Sequence, residues 1–377
     1  MSSLNIVAPI GYPWDFNGPR SSVNNVKRVY FLPFNRLKQE LDGFTLFGPW
    51  DAAGADIIHA FNRIPLNGKD FIIGFESHLP RTFGIESSGY RKFLYKKLLS
   101  PRCRRIVAIS QHAHRTFLDE LDVGALTSAE RFVLKDKTEV RLPNMKPATA
   151  PQLSSPPGNA VQVTFVGNHF ARKGGCSTVR MAQISLERKL PFVFNIVSSL
   201  QCGGSIWTDP TDASFYQPYL TLLSLPNVRH FTSLPNSGVL ELLRGSHFSI
   251  LTTFADTFGY SAIESMSVGT PVIASRQAAL PEFIIDGESG VLLDPARTAG
   301  RDDWGPDFHS RADSEFEALF AENVERFAVE AIDRMEALLN DQERYVDMRR
   351  AAFETIRDDF SAEAAAQYWD NLYRSCV

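Results

Sequence analysis

Short, mostly apolar runs alternate with longer amphipathic stretches along this chain of 377 residues. Apolar runs of about four to eight residues indicate strands covered on both faces, and apolar positions at helical spacing indicate helices between them. The alternation predicts parallel sheets built from strand–helix units. The predicted strands are Asn5–Ile10, Phe44–Phe47, Asp56–Phe61, Asp70–Phe75, Arg105–Ser110, Val161–Val166, Phe192–Val197, Val228–Phe231, Phe248–Thr252 and Pro271–Ala274.

A proline-rich stretch separates two series of such units. Residues 146–160 read KPATAPQLSSPPGNA, and this composition cannot sustain a helix or a central strand. We expect a linker here, with one α/β domain over 1–150, a second over 151–360, and a terminal helical segment over 361–377. The chain is long enough for two such domains.

Composition narrows the class of protein. Hydrophobic residues make up 44% and charged residues 22%, which is typical of soluble globular proteins, and the net charge of −4 gives no sign of a nucleic-acid partner. No apolar run reaches the roughly 18 to 20 residues of a membrane span, and the N-terminus lacks the pattern of a secretory signal. Four scattered cysteines without CxxC spacing argue against a zinc or disulfide framework. We therefore expect a cytoplasmic protein without a bound metal.

Two loops of the second series carry candidate chemistry. The strand that begins at Val161 ends at Gly167, and Arg172 and Lys173 stand immediately before Gly174 and the start of a helix. Glycines allow close backbone approach, and a helix N-terminus with two cations favours an anion such as phosphate. The alternative is an ordinary solvated Arg-Lys pair.

The second loop joins two acids across a glycine turn. Asp256 and Glu264 stand eight positions apart, with the backbone amides of Phe258–Ser261 between them at the start of a helix. Such amides lack partners inside the helix and can bind phosphate or a sugar hydroxyl, while Glu264 lies one turn further along. Alternatively, Asp256 is only a cap and Glu264 a surface residue.

These motifs together resemble one enzyme family. The Lys-Gly loop, the acid-x-Phe-Gly-x4-Glu pattern at Asp256, the run from Gly269 to Ala274, Leu280–Glu282, Asp286–Leu293 and the terminal helix with Tyr368 and Tyr373 are similar to the retaining GT-B glycosyltransferases of family 4. The resemblance implies an α/β fold of two Rossmann-like domains facing a central cleft, with the C-terminal helix returning to the first domain. It also implies transfer of a sugar from a nucleoside diphosphate without a metal or other cofactor.

The resemblance assigns roles to residues of the second domain. Lys173 matches the lysine that contacts the diphosphate, Glu264 the acid that binds ribose, and Asp256 the acid that faces donor-sugar hydroxyls, where relatives commonly carry Glu. Asn168 stands where relatives usually have a phosphate-binding arginine, and Arg172 is the nearest replacement charge. The further donor-binding candidates are Gly167, Thr232 on the base-side loop, Phe258, Gly259, Tyr260 and Ser261.

The first half departs more from the family. Gly18 could allow approach of a phosphate or acceptor with Arg20 nearby, or belong to an ordinary loop. His78 follows a predicted strand where relatives place a histidine near the transferred sugar, so it is the third catalytic candidate beside Lys173 and Asp256. His59, inside a strand run, is predicted to be a core histidine.

One basic segment suggests a partner surface. Residues 90–105 hold seven Lys or Arg and no acid, with apolar residues between them. This pattern predicts either a peripheral contact with an anionic membrane, at the inner face of which a lipid-linked acceptor would lie, or a helix with a solvated basic face. Charge confined to one segment argues against nucleic acid.

The sequence thus predicts a retaining, hexosyltransferase-type enzyme that uses a UDP-, GDP- or dTDP-sugar and a glycan or lipid-linked hydroxyl acceptor, in bacterial surface polysaccharide or glycoconjugate synthesis. A non-catalytic nucleotide-sugar or glycan-binding protein on the same scaffold is the alternative, motivated by Asn168 and Asp256. A nucleotide-dependent oxidoreductase fits poorly because no GxGxxG follows the first strand. The donor, the acceptor, the linkage, the oligomeric state and the purpose of the 301–316 insertion have no signature in the sequence.

Overall fold

The computed structural model describes residues 3–83, 85, 89–123, 126–149, 151–156, 158–204, 208–296, 304 and 311–377, without the side chains of Tyr12, Pro13 and Val123. The chain divides into two compact units. Unit 1 comprises 1–146 and 359–377, and unit 2 comprises 147–358.

Unit 1 is built on a parallel sheet. Among the described residues it has six strands in the order β2-β1-β5-β7-β8-β9. A small second sheet pairs β3 with β4 in antiparallel fashion and β4 with β6 in parallel. The strand bounds are β1 Asn5–Pro9, β2 Asn25–Val29, β3 Phe31–Leu32, β4 Phe44–Phe47, β5 Ile57–Phe61, β6 Ile64–Pro65, β7 Phe71–Phe75, β8 Cys103–Ala108 and β9 Thr138–Val140.

Helices cover the main sheet of unit 1. They are α1 Tyr12–Asn17, α2 Pro49–Ala53, α3 Gly89–Leu99, α4 Gln111–Val123 and α5 Ser128–Asp136. Ser110 caps the N-terminus of α4, because its hydroxyl accepts a hydrogen bond from the amide of Ala113 at 2.9 Å. The C-terminal helix α12, Ala362–Ser375, packs Trp369 and Tyr373 on Ile6, Ile57 and Ile72 of the sheet. The predicted return of this helix to the first domain is therefore confirmed.

Unit 2 is a doubly wound α/β fold. Its described strands are β10 Val161–Val166, β11 Phe192–Val197, β12 Val228–Phe231, β13 Phe248–Leu251, β14 Val272–Ser275 and β15 Gly290–Leu293. All pair in parallel in the order β12-β11-β10-β13-β14-β15. Counted within the unit this is the 3-2-1-4-5-6 order of Rossmann folds. The chain therefore reverses its winding between β10 and β13.

The helices of unit 2 flank this sheet. They are α6 Gly175–Glu187, α7 Gln217–Thr221, α8 Asn236–Arg244, α9 Tyr260–Ser267, α10 Ser314–Leu339 and α11 Gln342–Asp359. Phenylalanines dominate the packing between the sheet and the long helix α10. Phe254 stacks on Phe320 at 4.1 Å between ring centroids and lies 5.0 Å from Trp304. Trp304 is thus a core residue within the predicted 301–316 insertion. Residues 311–316 of that insertion lead into the start of α10, whereas 301–303 and 305–310 lie outside the described residues.

Several predicted features need correction. Phe44–Phe47 is a strand of the small sheet and not of the main one. β2, β3, β6, β9 and β15 were not predicted. β2 has a largely exposed polar pattern, and β3, β6 and β9 are only two or three residues long. The predicted linker is in part bound to unit 2. The amides of Ala148 and Gln152 donate to the carbonyls of Ser267 and Val268, both at 3.0 Å.

No helix within the described ranges is both long enough and apolar enough to cross a membrane.

His59 is a core histidine, as predicted. Its side chain is fully buried, its Nδ1 lies 2.8 Å from the hydroxyl of Tyr373, and Trp369 and Trp14 flank its ring. Burial lowers the pKa of His59 to about 3, because a desolvated imidazolium is costly. The folded state therefore holds His59 neutral.

We expect this histidine to make unit 1 sensitive to acid. The pKa of His59 is lower in the folded state than in the unfolded state. The free energy of unfolding therefore begins to decrease as pH falls below about 6.5, and it keeps decreasing until about pH 3. The contribution between pH 7 and pH 5 is about 2 kcal/mol of unfolding free energy. Urea unfolding at both pH values should show a loss in the wild type that exceeds the loss in His59→Gln by about 2 kcal/mol. His247, whose pKa burial lowers to about 4, contributes a loss to both proteins. Equal losses in the two proteins would therefore contradict the assignment to His59.

Candidate nucleotide-sugar site

The predicted donor residues converge at one edge of unit 2. Gly167 follows β10 and Asp256 lies in the loop after β13, so both loops leave the carboxyl ends of the two strands that flank the reversal of winding. In open α/β sheets this switch point is where ligands bind. The fold thus places the residues of the two sequence motifs beside each other.

Glycines shape the first loop around Lys173. A Cβ on Gly167 would come within 2.8 Å of the Lys173 Cδ atom, so the lysine stem occupies the space that a side chain at 167 would fill. Gly174 has a φ of 96° and caps α6, and a Cβ there would lie 2.6 Å from the Thr252 carbonyl oxygen. Any other residue at these positions would displace Lys173 or the β13 end. The glycines therefore fix where the ammonium group lies.

Lys173 and Asp256 form an ion pair. The Lys173 Nζ lies 2.8 Å from Asp256 Oδ2, with 19% and 9% of the two side chains exposed. Burial raises the pKa of Asp256, but the charges of Lys173 and Arg172 outweigh burial and bring it below its ordinary value. Asp256 is therefore ionised, and its contact with Lys173 joins the two sequence motifs directly.

The turn after Asp256 is only partly open to a ligand. The amide of Gly259 donates to Asp256 Oδ1 at 3.2 Å, so this amide already has a partner outside the helix. Gly259 has a φ of 93° and caps α9. Phe258 is buried and stacks on Phe283. The Ser261 hydroxyl is buried without a hydrogen-bond partner among the described residues, so it is available to a ligand.

Glu264 has a partner that sequence reasoning missed. Its side chain is buried, and its Oε1 accepts a hydrogen bond from Asn236 Nδ2 at 2.8 Å. Asn236 begins α8 directly after the exposed Thr232 loop. The predicted base-side loop and the predicted ribose acid are therefore linked by a side chain. No sequence motif pointed to Asn236, since an Asn after a proline reads as an ordinary turn residue.

Asn168 and Arg172 are the two remaining predicted residues of the first loop. The Asn168 side chain is exposed, and its carbonyl accepts the amide of Gln201 at 3.0 Å, so the position supplies no charge. Arg172 donates to the carbonyl of Ala255 and lowers the pKa of Asp256 together with Lys173. Arg172 thus brings a second cation to the loop, as expected.

The candidate residues of unit 1 each contact different neighbours within that unit. Gly18 packs against the ring of Trp14, where a Cβ would be too close, so packing alone explains this glycine. Arg20 donates to Asn144 Oδ1 at 2.7 Å, and burial lowers its pKa. His78 lies on the loop after β7 with its Nδ1 hydrogen-bonded to the Glu120 carboxylate.

Within the described part of the chain, no group of three or more His, Cys, Asp or Glu residues is placed to hold a metal ion. Charge at the site comes from Lys173, Arg172, Asp256 and Glu264.

Comparison with known proteins identifies a family that part of unit 2 matches. Residues 156–300 match the family described as glycosyl transferases group 1. A D-inositol 3-phosphate glycosyltransferase of Acidothermus cellulolyticus is 40% identical over 144 residues, which is 37% of this chain and 32% of that protein. The Corynebacterium efficiens protein of the same name is 26% identical over 217 residues, or 58% of this chain and 43% of the relative. The chain thus matches about a third of the length of the first relative and less than half of the length of the second.

Solved structures extend the likeness to the whole chain. A glycosyltransferase from Rickettsia africae has a TM-score of 0.62 at 14% identity, covering 100% of this chain and 99% of its own. The Anabaena protein HepE in complex with UDP-glucose has a TM-score of 0.60 at 12% identity, covering 99% and 100%. At such low identity the likeness shows the fold alone, and that fold is GT-B.

Proposed function

Since residues 156–300 belong to the glycosyl transferases group 1 family, we propose that this chain is a glycosyltransferase that takes a sugar from a nucleoside diphosphate. The observation that carries the proposal is the Lys173–Asp256 pair beside Ser261 and Glu264 at the switch point of the unit 2 sheet. The site offers the Lys173 cation, the Ser261 hydroxyl and the Glu264 carboxylate. These groups match the diphosphate, the sugar and the ribose of a nucleotide sugar.

In this proposal Lys173 contacts the diphosphate and stabilises the charge that develops as the sugar leaves. Arg172 adds positive potential, and the N-termini of α6 and α9 favour the same anion. Glu264, oriented by Asn236, accepts hydrogen bonds from the ribose hydroxyls. Asp256 and Glu264 position the donor and do not act as the acid–base pair of a glycosidase.

The reaction retains the anomeric configuration in this proposal, with the departing phosphate taking the acceptor proton and no protein nucleophile. No metal or cofactor is assigned to it. His78 is proposed to lie near the transferred sugar, and Gly18 stays a proposed donor contact. The setting proposed is bacterial surface polysaccharide or glycoconjugate synthesis in the cytoplasm.

The acceptor is proposed to be a hydroxyl of a glycan or a lipid-linked molecule, and the names of the relatives add inositol 3-phosphate as a candidate. The basic segment 90–105 overlaps α3, whose Phe93 is exposed beside Lys97 while Leu94 and Leu98 are buried. This supports peripheral contact with an anionic membrane. Sedimentation with vesicles that contain anionic lipid is the measurement that decides it.

Thermal-shift screening with UDP-, GDP- and dTDP-sugars tests the donor proposal. Stabilisation by one nucleotide sugar, followed by its turnover in the presence of an acceptor, supports a transferase. Tight binding without any turnover across acceptors would support the non-catalytic alternative. The absence of any shift would remove the nucleotide-sugar proposal.

Glu264→Ala should weaken binding of the nucleoside diphosphate that stabilises the wild type. The expected loss is about 1–3 kcal/mol, because a buried charged hydrogen-bond acceptor is removed and Asn236 is left unpaired. Calorimetry on folded protein is the measurement. Glu241→Ala on the neighbouring helix α8 is the control, since 74% of that side chain is exposed and its one ion pair among the described residues is with Arg244. Equal affinities for Glu264→Ala and wild type would take Glu264 out of the site.

A further inference from the structure

A network of charged side chains lies at the carboxyl ends of β5 and β7 in unit 1. Glu76 follows β7 directly, and its Oε1 accepts hydrogen bonds from Asn62 Nδ2 at 3.0 Å and from Arg81 Nη2 at 2.7 Å. Its Oε2 accepts no hydrogen bond from any described residue, and 18% of the side chain is exposed. One carboxylate oxygen is thus fixed by two donors while the other is open.

The donors that fix Glu76 are themselves held in place. Asn62 has a φ of 61°, which is uncommon for a residue other than glycine, and its Oδ1 accepts the amide of Glu76 at 3.1 Å. Arg81 Nη1 lies 3.1 Å from Asp42 Oδ2, and Arg63 binds Asp42 Oδ1 at 2.5 and 2.8 Å. The Arg81 Nε is buried without a partner among the described residues. Strained backbone and an unpartnered buried donor are features that cluster at binding sites.

Stability alone does not account for this arrangement. Burying two guanidinium groups with two carboxylates costs desolvation that their attraction at best repays, so such a network is weak evidence of a contribution to folding. The position of the network in the sheet points to a binding role. In unit 1 the winding reverses between β1 and β5, so ligands are expected at the carboxyl end of β5. Asn62 directly follows β5, and Glu76 directly follows the adjacent strand β7.

We propose that the open oxygen of Glu76 binds a hydroxyl of a sugar or polyol on unit 1. The cluster of Arg63, Arg81, Asp42 and Glu76 has formal charges that cancel, which favours a neutral hydroxyl-bearing ligand over a free phosphate or a cation. A carboxylate accepts such an O–H strongly because it is charged. That this ligand is the acceptor rests on the proposed glycosyltransferase function, whereas its binding at Glu76 does not.

The test is direct binding of four probes to the full chain, measured by saturation-transfer NMR: methyl α-D-glucopyranoside, methyl α-D-mannopyranoside, N-acetylglucosamine and myo-inositol. At least one should bind the wild type. Glu76→Gln should weaken that probe about tenfold or more, because a charge-assisted hydrogen bond is lost. Glu76→Asp keeps the charge but draws the open oxygen back by one methylene, and should weaken it as well.

Two controls locate the effect. Asp70→Asn changes a carboxylate at the opposite end of the same strand, where it pairs with Arg104, and should leave probe binding unchanged. Asp256→Asn reports on the unit 2 site. Failure of all four probes to bind the wild type, unchanged binding in a folded Glu76 variant, or loss of binding in Asp256→Asn alone would each overturn the proposal. Donor binding is measured separately, so the nucleotide-sugar proposal can fail while this one stands.

Discussion

Lys173→Met is expected to abolish most of the affinity for a nucleoside diphosphate, by about 3 kcal/mol or roughly a hundredfold. The ammonium is the charge that the glycines at 167 and 174 fix in place, and methionine fills the same space without it. The loss includes a second effect. Without the lysine, the buried Asp256 carboxylate faces the diphosphate with only Arg172 to offset it. Calorimetric titration with the diphosphate that binds the wild type measures both effects together.

The same variant should also be less stable, and in a pH-dependent way. Burial raises the pKa of Asp256, and Lys173 is the first of the charges that lower it. With Lys173 gone, burial should move the folded-state pKa above the unfolded value. Stability then falls as pH rises through the unfolded value and levels off above the folded one. The deficit relative to wild type should therefore be larger at pH 7 than at pH 4.

The double variant Lys173→Met, Asp256→Asn separates the two effects. It leaves neither charge of the pair unpaired, so much of the lost stability should return while diphosphate affinity stays low. Full affinity in the double variant would show that Lys173 acts only through the structure of the loop. Unchanged affinity in the single variant would place the diphosphate elsewhere.

The sequence was sufficient to predict the strand skeleton of unit 2. β10 and β11 have the predicted bounds, because strands buried between two helix layers are short apolar runs with clear ends. β12 also has the predicted bounds, although it lies at the edge of the sheet with Arg229 and His230 exposed. β2 was missed because most of its positions are exposed at the edge of the sheet. Pairing partners and strand order depend on packing between distant segments, which periodicity along the chain does not record.

In the candidate site, too, the motifs could be predicted from the sequence but the contacts between them could not. Glycines and acids at fixed spacing identified the Lys173 loop and the Asp256 turn as separate ligand motifs. Their direct contact arises from strand order, since β13 lies beside β10 although about eighty residues separate them. Asn236 and the residues around Glu76 were not predicted, because neither belongs to a sequence motif. Their hydrogen bonds join residues of different loops, and only the fold brings these loops together. Contacts across a sheet edge are the part that one sequence does not reveal.

Arg349 is the residue whose loss should destabilise unit 2 most. It is fully buried on α11, where its guanidinium donates to the carbonyls of Gln152 and Ser246 at 2.8 and 2.9 Å and to the Tyr345 hydroxyl at 2.9 Å. Burial lowers its pKa, yet it remains a cation held by oxygen acceptors. The contact with Gln152 fastens the proline-rich segment to the unit.

Arg349→Met should therefore lower the unfolding free energy by about 3–5 kcal/mol, because buried carbonyls lose their donor at the same time as a close-packed side chain changes shape. Limited proteolysis should cleave the 147–160 segment faster, since Gln152 is then held only by its backbone bond to Val268. Arg350→Met is the matched control, because its side chain is 53% exposed and its only ion pair among described residues is with Asp347. That change should stay within about 0.5 kcal/mol of wild type. Similar losses in both variants would mean that the buried guanidinium does not stabilise the fold, and unchanged cleavage would mean that the segment is held by its backbone alone.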